Sequence, residues 1–286
     1  MDALHWDHHP QLRRPVLIAA FEGWADAGDA ASAAAGYLAT TWGARPFASL
    51  DPEEFYDFTE TRPRVRLDEE GRRQIDWPAN TFAAASAPGS AHDVIVLQGV
   101  EPQLKWRAFT GLIVEVVQSL RVELVLSLGA LLADVPHTRP VRVTGTSADD
   151  GLAAKLELQR SRYQGPTGIV SVLHDALARS GTPSASLWAA VPHYISETPS
   201  PKATLALVRR TADVLGAGID ASDLEIAAAS YERQVSEVVA ADDDVAAYVS
   251  RLEEAAEEDD ELPLVPADGD SLAAEVEEFL REHRTD

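Results

Sequence analysis

The sequence predicts an α/β protein, with a mostly parallel sheet covered by helices on both faces and a small helical C-terminal domain. Short apolar runs at residues 16–21, 93–99, 123–129 and 185–191 lack a polar face, as strands buried on both sides do. Stretches of helical periodicity alternate with them, which implies strand–helix–strand units. From Ser222 onward the pattern changes to one acidic, helical region.

Residues 1–14 are polar, carry His5, His8 and His9, and are expected to be loosely ordered. With no further ligand nearby, those histidines are not read as a metal site. The α/β core is assigned to residues 15–219. Residues 16–21 follow Pro15 as the first strand, and Glu22, Gly23 and Trp24 end it. Asp26 or Asp29 then caps an alanine-rich helix over residues 30–40. In open α/β sheets, ligands bind in loops at the carboxyl ends of strands. The first candidate binding site is therefore this loop, with Glu22, Gly23, Trp24, Asp26, Gly28 and Asp29. Residues 45–50 read as a second strand. Residues 65–67 and 74–77 flank a polar turn at Glu70 and Gly71, a β-hairpin excursion near residues 61–78. Such an excursion from the main sheet makes subunit contacts or a lid.

Residues 93–99 are the next strand. Glu101 and Pro102 are expected to open a helix carrying Trp106, Phe109, Ile113, Val116, Val117 and Leu120 at helical spacing. Residues 123–129 form a third core strand, followed by a loop with Asp134, Pro136 and His137. Residues 141–144 return as a strand, and residues 145–149 lead into a helix starting near Asp150. Gly165 and Gly168 bound a turn before a helix over residues 170–179. Residues 185–191 are the last strand, ending at Pro192, His193 and Tyr194, and residues 199–215 are a further helix. The acidic C-terminal region spans residues 220–286. Ser222 and Glu225 have capping-box spacing, and Leu224, Ala228, Tyr231, Val235 and Val238 form an apolar seam that Val245, Val249 and Leu252 resume. Residues 253–269 read as an acidic, proline-punctuated linker. Leu272, Val276, Phe279 and Leu280 mark a last short amphipathic helix.

Five stretches carry a family resemblance. They are residues 21–28 (Phe-Glu-Gly-Trp-x-Asp-Ala-Gly), 61–63 with 75–78, 129–137, 163–168 and 188–194. Together they resemble the proteasome assembly chaperone 2 family, in its bacterial, actinobacterial-type branch, over residues 16–215. The resemblance implies a nucleoside-phosphorylase-like topology and a homo-oligomer, with a trimer as the expected form. It implies proteasome subunits or another protein client as partners, and no established reaction. Archaeal and eukaryotic chaperones of this family often end in a hydrophobic–Tyr–any tail that docks on the proteasome ring. Residues 282–286 here, Glu-His-Arg-Thr-Asp, do not match it, so docking through such a tail is not expected.

Composition narrows the function classes. The 286 residues are 45% hydrophobic, enough for a sizeable core. Cysteine is absent, which rules out disulfides and a thiol nucleophile. No run is apolar enough to span a bilayer and no export signal is visible, so a cytoplasmic place is expected. The formal net charge is −23 with no basic stripe, which argues against nucleic-acid and membrane partners. No P-loop, Gly-x-Ser-x-Gly, Gly-x-Gly-x-x-Gly or His-Glu-x-x-His motif appears, and no cofactor or metal is expected.

The chemistry-bearing candidates, none assigned a catalytic role, are His137, His193 and Asp134. With Glu22, Asp26, Ser147 and Asp149 they are expected at one sheet edge, where a His–carboxylate hydrolase could be assembled. The plainer reading makes the histidines loop residues bonded to backbone, Asp26 and Asp29 helix caps, and Trp24 a packed side chain. Helix N-termini attract anions. Three carboxylates here, with no Lys or Arg between Phe21 and Trp42, instead suit a cation, an amine or a partner's backbone donors. The leading expectation is a non-catalytic assembly factor or scaffold acting through protein contacts. The alternative is a phosphorylase- or hydrolase-like enzyme, or a small-ligand binder, using the carboxyl-edge loops.

Overall fold

The computed structural model describes residues 3–159, 163–196 and 198–258. In chain order the elements are β1 (Leu4–Trp6), β2 (Val16–Glu22), α1 (Ala30–Thr41), β3 (Arg45–Leu50), β4 (Arg64–Leu67) and β5 (Arg73–Asp76). Then come β6 (Asn80–Ser86), β7 (Asp93–Val100), α2 (Trp106–Ser119), β8 (Leu124–Ala133), β9 (Val143–Ser147) and α3 (Asp150–Lys155). The last are α4 (Ile169–Ser180), β10 (Ser184–Pro192), α5 (Pro201–Leu215), α6 (Ser222–Val239) and α7 (Asp243–Glu258).

One eight-stranded sheet has the order β1-β3-β6-β7-β2-β8-β10-β9. Its centre, β7-β2-β8-β10, is parallel. Both flanks are antiparallel, so the sheet is mixed and the parallel expectation holds for its middle. Connection length decides which: α2 and α4 provide the crossovers that parallel strands need, whereas residues 87–92 are too few to bring β7 back parallel to β6. The helices cover both faces. Ala30, Ala31, Ala34 and Ala35 of α1 are buried with Leu207 and Val208 of α5 on one face. Phe109, Ile113 and Val117 of α2 are buried with Leu173 and Leu177 of α4 on the other. Alanine at four inward positions lets α1 lie close to the sheet.

Several expectations are corrected. Residues 3–14 are tied down: β1 pairs with β3, and Arg13 binds Asp93 through its backbone N at 2.7 Å and its guanidinium at 2.8 Å. The strand β6, absent from the sequence reading, fills the gap between β3 and β7. Helix α2 starts at Trp106 rather than at Glu101, because Lys105 takes a left-handed conformation (φ 52°). No capping box forms at α6. Asp220 Oδ1 accepts from Ser222 N and Oγ, and Glu225 pairs with Arg209 instead. The α6 seam runs through Ala228, Tyr231, Val235 and Val239, leaving Val238 exposed. The predicted linker beyond residue 258, the helix at Leu272–Leu280 and residues 282–286 lie outside the described residues.

A polar chain also runs through the interior. His174 Nε2 lies 2.7 Å from Ser127 Oγ and Nδ1 lies 2.8 Å from Ser184 Oγ. Burial pushes this imidazole down to about 4, so it is neutral with both nitrogens partnered.

Candidate functional site

The carboxyl edge of the parallel strands is built around two helix N-termini, and each already holds a carboxylate of the chain. At α1 the cap is Asp26, whose Oδ1 accepts from Ala31 N at 2.7 Å and Ser32 N at 3.1 Å. Asp29 occupies the formal cap position but makes no side-chain cap bond and has φ 51°. Gly28 precedes it at φ 58°. Two successive left-handed residues turn the chain so that Asp26, rather than Asp29, reaches the helix. Asp26 is 6% exposed, and burial raises its pKa against the hydrogen bonds that lower it. Its Oδ2 has no hydrogen-bond partner.

The second N-terminus is that of α4. Glu101, just past β7, places Oε1 2.8 Å from Ile169 N and Oε2 3.3 Å from Trp24 N. Trp24 is 65% exposed, so the expectation of a packed ring is corrected. One ring edge nonetheless lies over Gly168, where a Cβ would come within 2.9 Å of Trp24 Cε3 and 2.8 Å of Glu101 Oε1. Gly23 has φ 125°, a conformation that glycine alone takes easily. Glu22 projects beside these groups. Its pKa is raised by loss of solvent, then by Asp26 and Asp29, while Arg64 opposes the shift. Behind them Tyr56 OH donates to Val100 O at 2.5 Å and accepts from Asn80 Nδ2. Of the loop residues, the fold gathers Glu22, Asp26 and Asp29 close enough to repel one another. Sequence reasoning missed Glu101, whose position directly after a core strand was the available signal.

The other candidates lie further along the same edge. His193 Nδ1 is 2.8 Å from Asp134 Oδ1, but the two are not aligned for a hydrogen bond and Nδ1 has no such partner. Tyr248 OH lies 3.2 Å from the same oxygen. Among the described residues no serine or threonine hydroxyl is hydrogen-bonded to His193. His137 is buried, with Nδ1 2.8 Å from Tyr194 OH and Nε2 3.0 Å from Ser236 Oγ. Burial, then the charge of Lys202, lowers its pKa. It therefore ties the segment after β8 to α6, through side-chain hydroxyls rather than the backbone partners expected. A hollow of about 210 Å³ opens beside it, toward Val249 and Glu253.

Ser147 and Asp149 are not at this edge. Because β9 runs antiparallel to β10, its carboxyl end pairs with the start of β10, Ser147 opposite Ala185. Asp149 caps α3 through Leu152 N at 2.6 Å. It lines a hollow of about 350 Å³ with Arg14, His92 and Glu123 at the opposite edge. Among the described residues there is no group of three or more His, Asp or Glu placed to hold a metal ion. No described helix is long and apolar enough to cross a membrane.

The sequence model of the PAC2 family matches residues 20–239. A PAC2 family protein from Streptomyces avermitilis is 45% identical, with a TM-score of 0.77, covering 82% of this chain and 99% of that one. A proteasome-assembly chaperone homologue from Mycobacterium tuberculosis is also 45% identical, with a TM-score of 0.75 over the same shares. An archaeal proteasome activator from Pyrococcus furiosus has the same fold, at 17% identity and a TM-score of 0.66, covering 82% of this chain and 97% of its own. No curated protein matches.

Proposed function

The chain belongs to the PAC2 family, and from that premise we propose that it is a chaperone-like assembly factor acting through protein–protein contacts rather than catalysis. One observation carries the reading. The two helix N-termini at the carboxyl edge, which would receive a phosphate or other anion in a phosphorylase-like site, are filled by Asp26 and Glu101. The mycobacterial relative, named a proteasome-assembly chaperone homologue, supports proteasome subunits or another protein as the client. We read the central parallel block as nucleoside-phosphorylase-like in topology, the chain as a homo-oligomer with a trimer as the working form, and its place as the cytoplasm. The Glu22, Trp24, Asp26 and Asp29 loop is the proposed contact site.

Affinity capture of the tagged full-length protein from its native lysate, followed by mass spectrometry, tests this reading. Co-purification of proteasome subunits or another defined protein is expected, and it should weaken in Trp24→Ala. Calorimetric binding of inorganic phosphate or a nucleoside at the carboxyl edge would overturn it. The enzyme reading draws on the His193–Asp134 contact, where the neighbouring hydroxyl is that of Tyr248 and, among the described residues, no serine or threonine hydroxyl bonds His193.

A further inference from the structure

We propose that the hollow of about 350 Å³ at the amino edge of the parallel strands is a binding site for a small carboxylic acid with an apolar body. Val16 and Leu124, the first residues of β2 and β8, line it, with α3 and the end of α5 at its sides. Strand direction puts it there, because β9 runs antiparallel to β10 and delivers α3 to this edge. Its size falls within the range of small-ligand clefts, roughly 300–1,000 Å³. The carboxyl edge is the usual ligand edge of such sheets, but Asp26 and Glu101 fill its helix N-termini.

The floor of the hollow is apolar. Val16 and Leu215 are buried in it, and Leu124, Leu152 and Leu156 are half-buried. Five polar side chains complete the wall, and four of them are already partnered. Arg14 Nε donates to Glu123 Oε1 at 3.1 Å. His92 Nδ1 donates to Arg14 O at 2.8 Å, since a carbonyl oxygen only accepts. Asp149 Oδ1 accepts from Leu152 N at 2.6 Å. Lys155 alone has no hydrogen bond or ion pair among the described residues. Arg14, fixed at its guanidinium and its carbonyl, also sits at φ 46°, the kind of backbone strain that clusters at ligand sites.

The unsatisfied group selects the ligand. Lys155 offers three donors and no acceptor, so it calls for an anion. Arg210 stands nearby: its Nη2 donates to Leu156 O at 2.6 Å, and it forms no ion pair among the described residues. The wall's two carboxylates are committed, Glu123 to Arg14 and Asp149 to the backbone of α3. A nucleic acid or an anionic membrane would meet the whole chain of −23, whereas a small molecule in the hollow meets only these neighbours. Inorganic phosphate would leave the apolar floor unused, and a neutral oil would leave Lys155 unpartnered. A carboxylate on a short hydrocarbon body uses both.

Octanoate is the probe, with octylammonium and octanol as chain-matched controls, on the full-length protein with methyl-labelled leucines. Octanoate is expected to shift the methyl resonances of Leu124, Leu152 and Leu156 saturably, and the controls to leave them in place. Lys155→Ala, an exposed substitution, should weaken octanoate roughly tenfold, the loss of one charge-assisted contact, with an unchanged melting temperature. Lys155→Arg should retain binding, and Lys105→Ala, whose lysine pairs with Glu54 far from the hollow, should match wild type. Leu152→Trp, which fills the hollow, should abolish binding; if it misfolds, Lys155→Ala decides alone. Absence of saturable shifts in wild type overturns the inference, and so does equal affinity in Lys155→Ala. Equal binding of octylammonium or octanol at the same methyl groups overturns the assignment to an acid.

Discussion

Glu101 caps a helix to which it does not belong: its Oε1 lies 2.8 Å from the backbone N of Ile169, the first residue of α4. The same carboxylate accepts from Trp24 N, so one side chain joins the loop after β2 to the opposite helical layer. Glu101→Ala should cost on the order of 1 kcal/mol in urea unfolding, as lost caps do. Glu101→Gln, which keeps the acceptor oxygen, should cost a few tenths of that. Equal midpoints for wild type and Glu101→Ala would show that the cap contributes nothing.

Asp26 and Glu22 should respond to pH in the opposite sense to most carboxylates. Both have raised pKa values in the fold, chiefly through loss of solvent. A raised carboxylate contributes stability that is present below the unfolded value and lost as pH rises through the folded one. Glu22→Gln should therefore melt higher than wild type at neutral pH, with the gap closing as pH falls toward 4.5, and magnesium should move neither curve. Asp26→Asn keeps the cap oxygen without the buried charge and should be at least as stable as wild type at neutral pH. Asp26→Ala should lose about 1 kcal/mol. A metal-dependent rise seen in wild type and absent in Glu22→Gln would point to a cation site.

His174 sets a pH dependence of the usual acid-labile kind. Its pKa falls from 6.5 in the unfolded chain to about 4 in the fold, so the neutral form contributes stability above 6.5 that disappears as pH drops toward 4. The contribution is on the order of 3 kcal/mol. Stability curves of wild type and His174→Gln should converge between pH 6.5 and 4. Ring-carbon NMR shifts of His174 should show no titration at pH 6, and protonation there would contradict the buried, doubly partnered imidazole.

Two glycines should differ in tolerance. A Cβ on Gly99 would fall 2.1 Å from Ala79 O, a backbone atom that cannot move alone. A Cβ on Gly168 would meet the ends of the Glu101 and Trp24 side chains, which can swing away. Gly99→Ala should unfold the β6–β7 pairing and express poorly. Gly168→Ala should fold, with the same loss as Glu101→Ala and little further loss when the two are combined. Equal stability of the two alanine variants would contradict this ranking.

What the sequence makes legible depends on whether the signal is local. The runs at β2, β7, β8 and β10 are readable because an unbroken apolar strand has few other places to go. Strand β6, Asn-Thr-Phe-Ala-Ala-Ala-Ser, has no such signature and is a strand because β3 and β7 leave a slot between them. The cap on α1 is half legible: Asp26 and Asp29 are both plausible, and only the left-handed pair Gly28 and Asp29 decides for Asp26. The cap on α4 spans 68 residues of chain and leaves no local trace. Strand direction is likewise silent, which is why Ser147 and Asp149 were expected at the wrong edge.

The rims of the main sheet carry a last consequence. An open sheet can recruit further strands wherever unpaired N–H and C=O groups line its border, the route by which β proteins run into fibrils. One rim here is β1, only three residues long. The other is β9, whose outer side is taken by Gln159, bonding to Gly145 and Ser147. Neither rim offers a template of useful length. Edge-to-edge pairing of the main sheet from one copy to the next, the route to endless lateral growth, is thereby disfavoured.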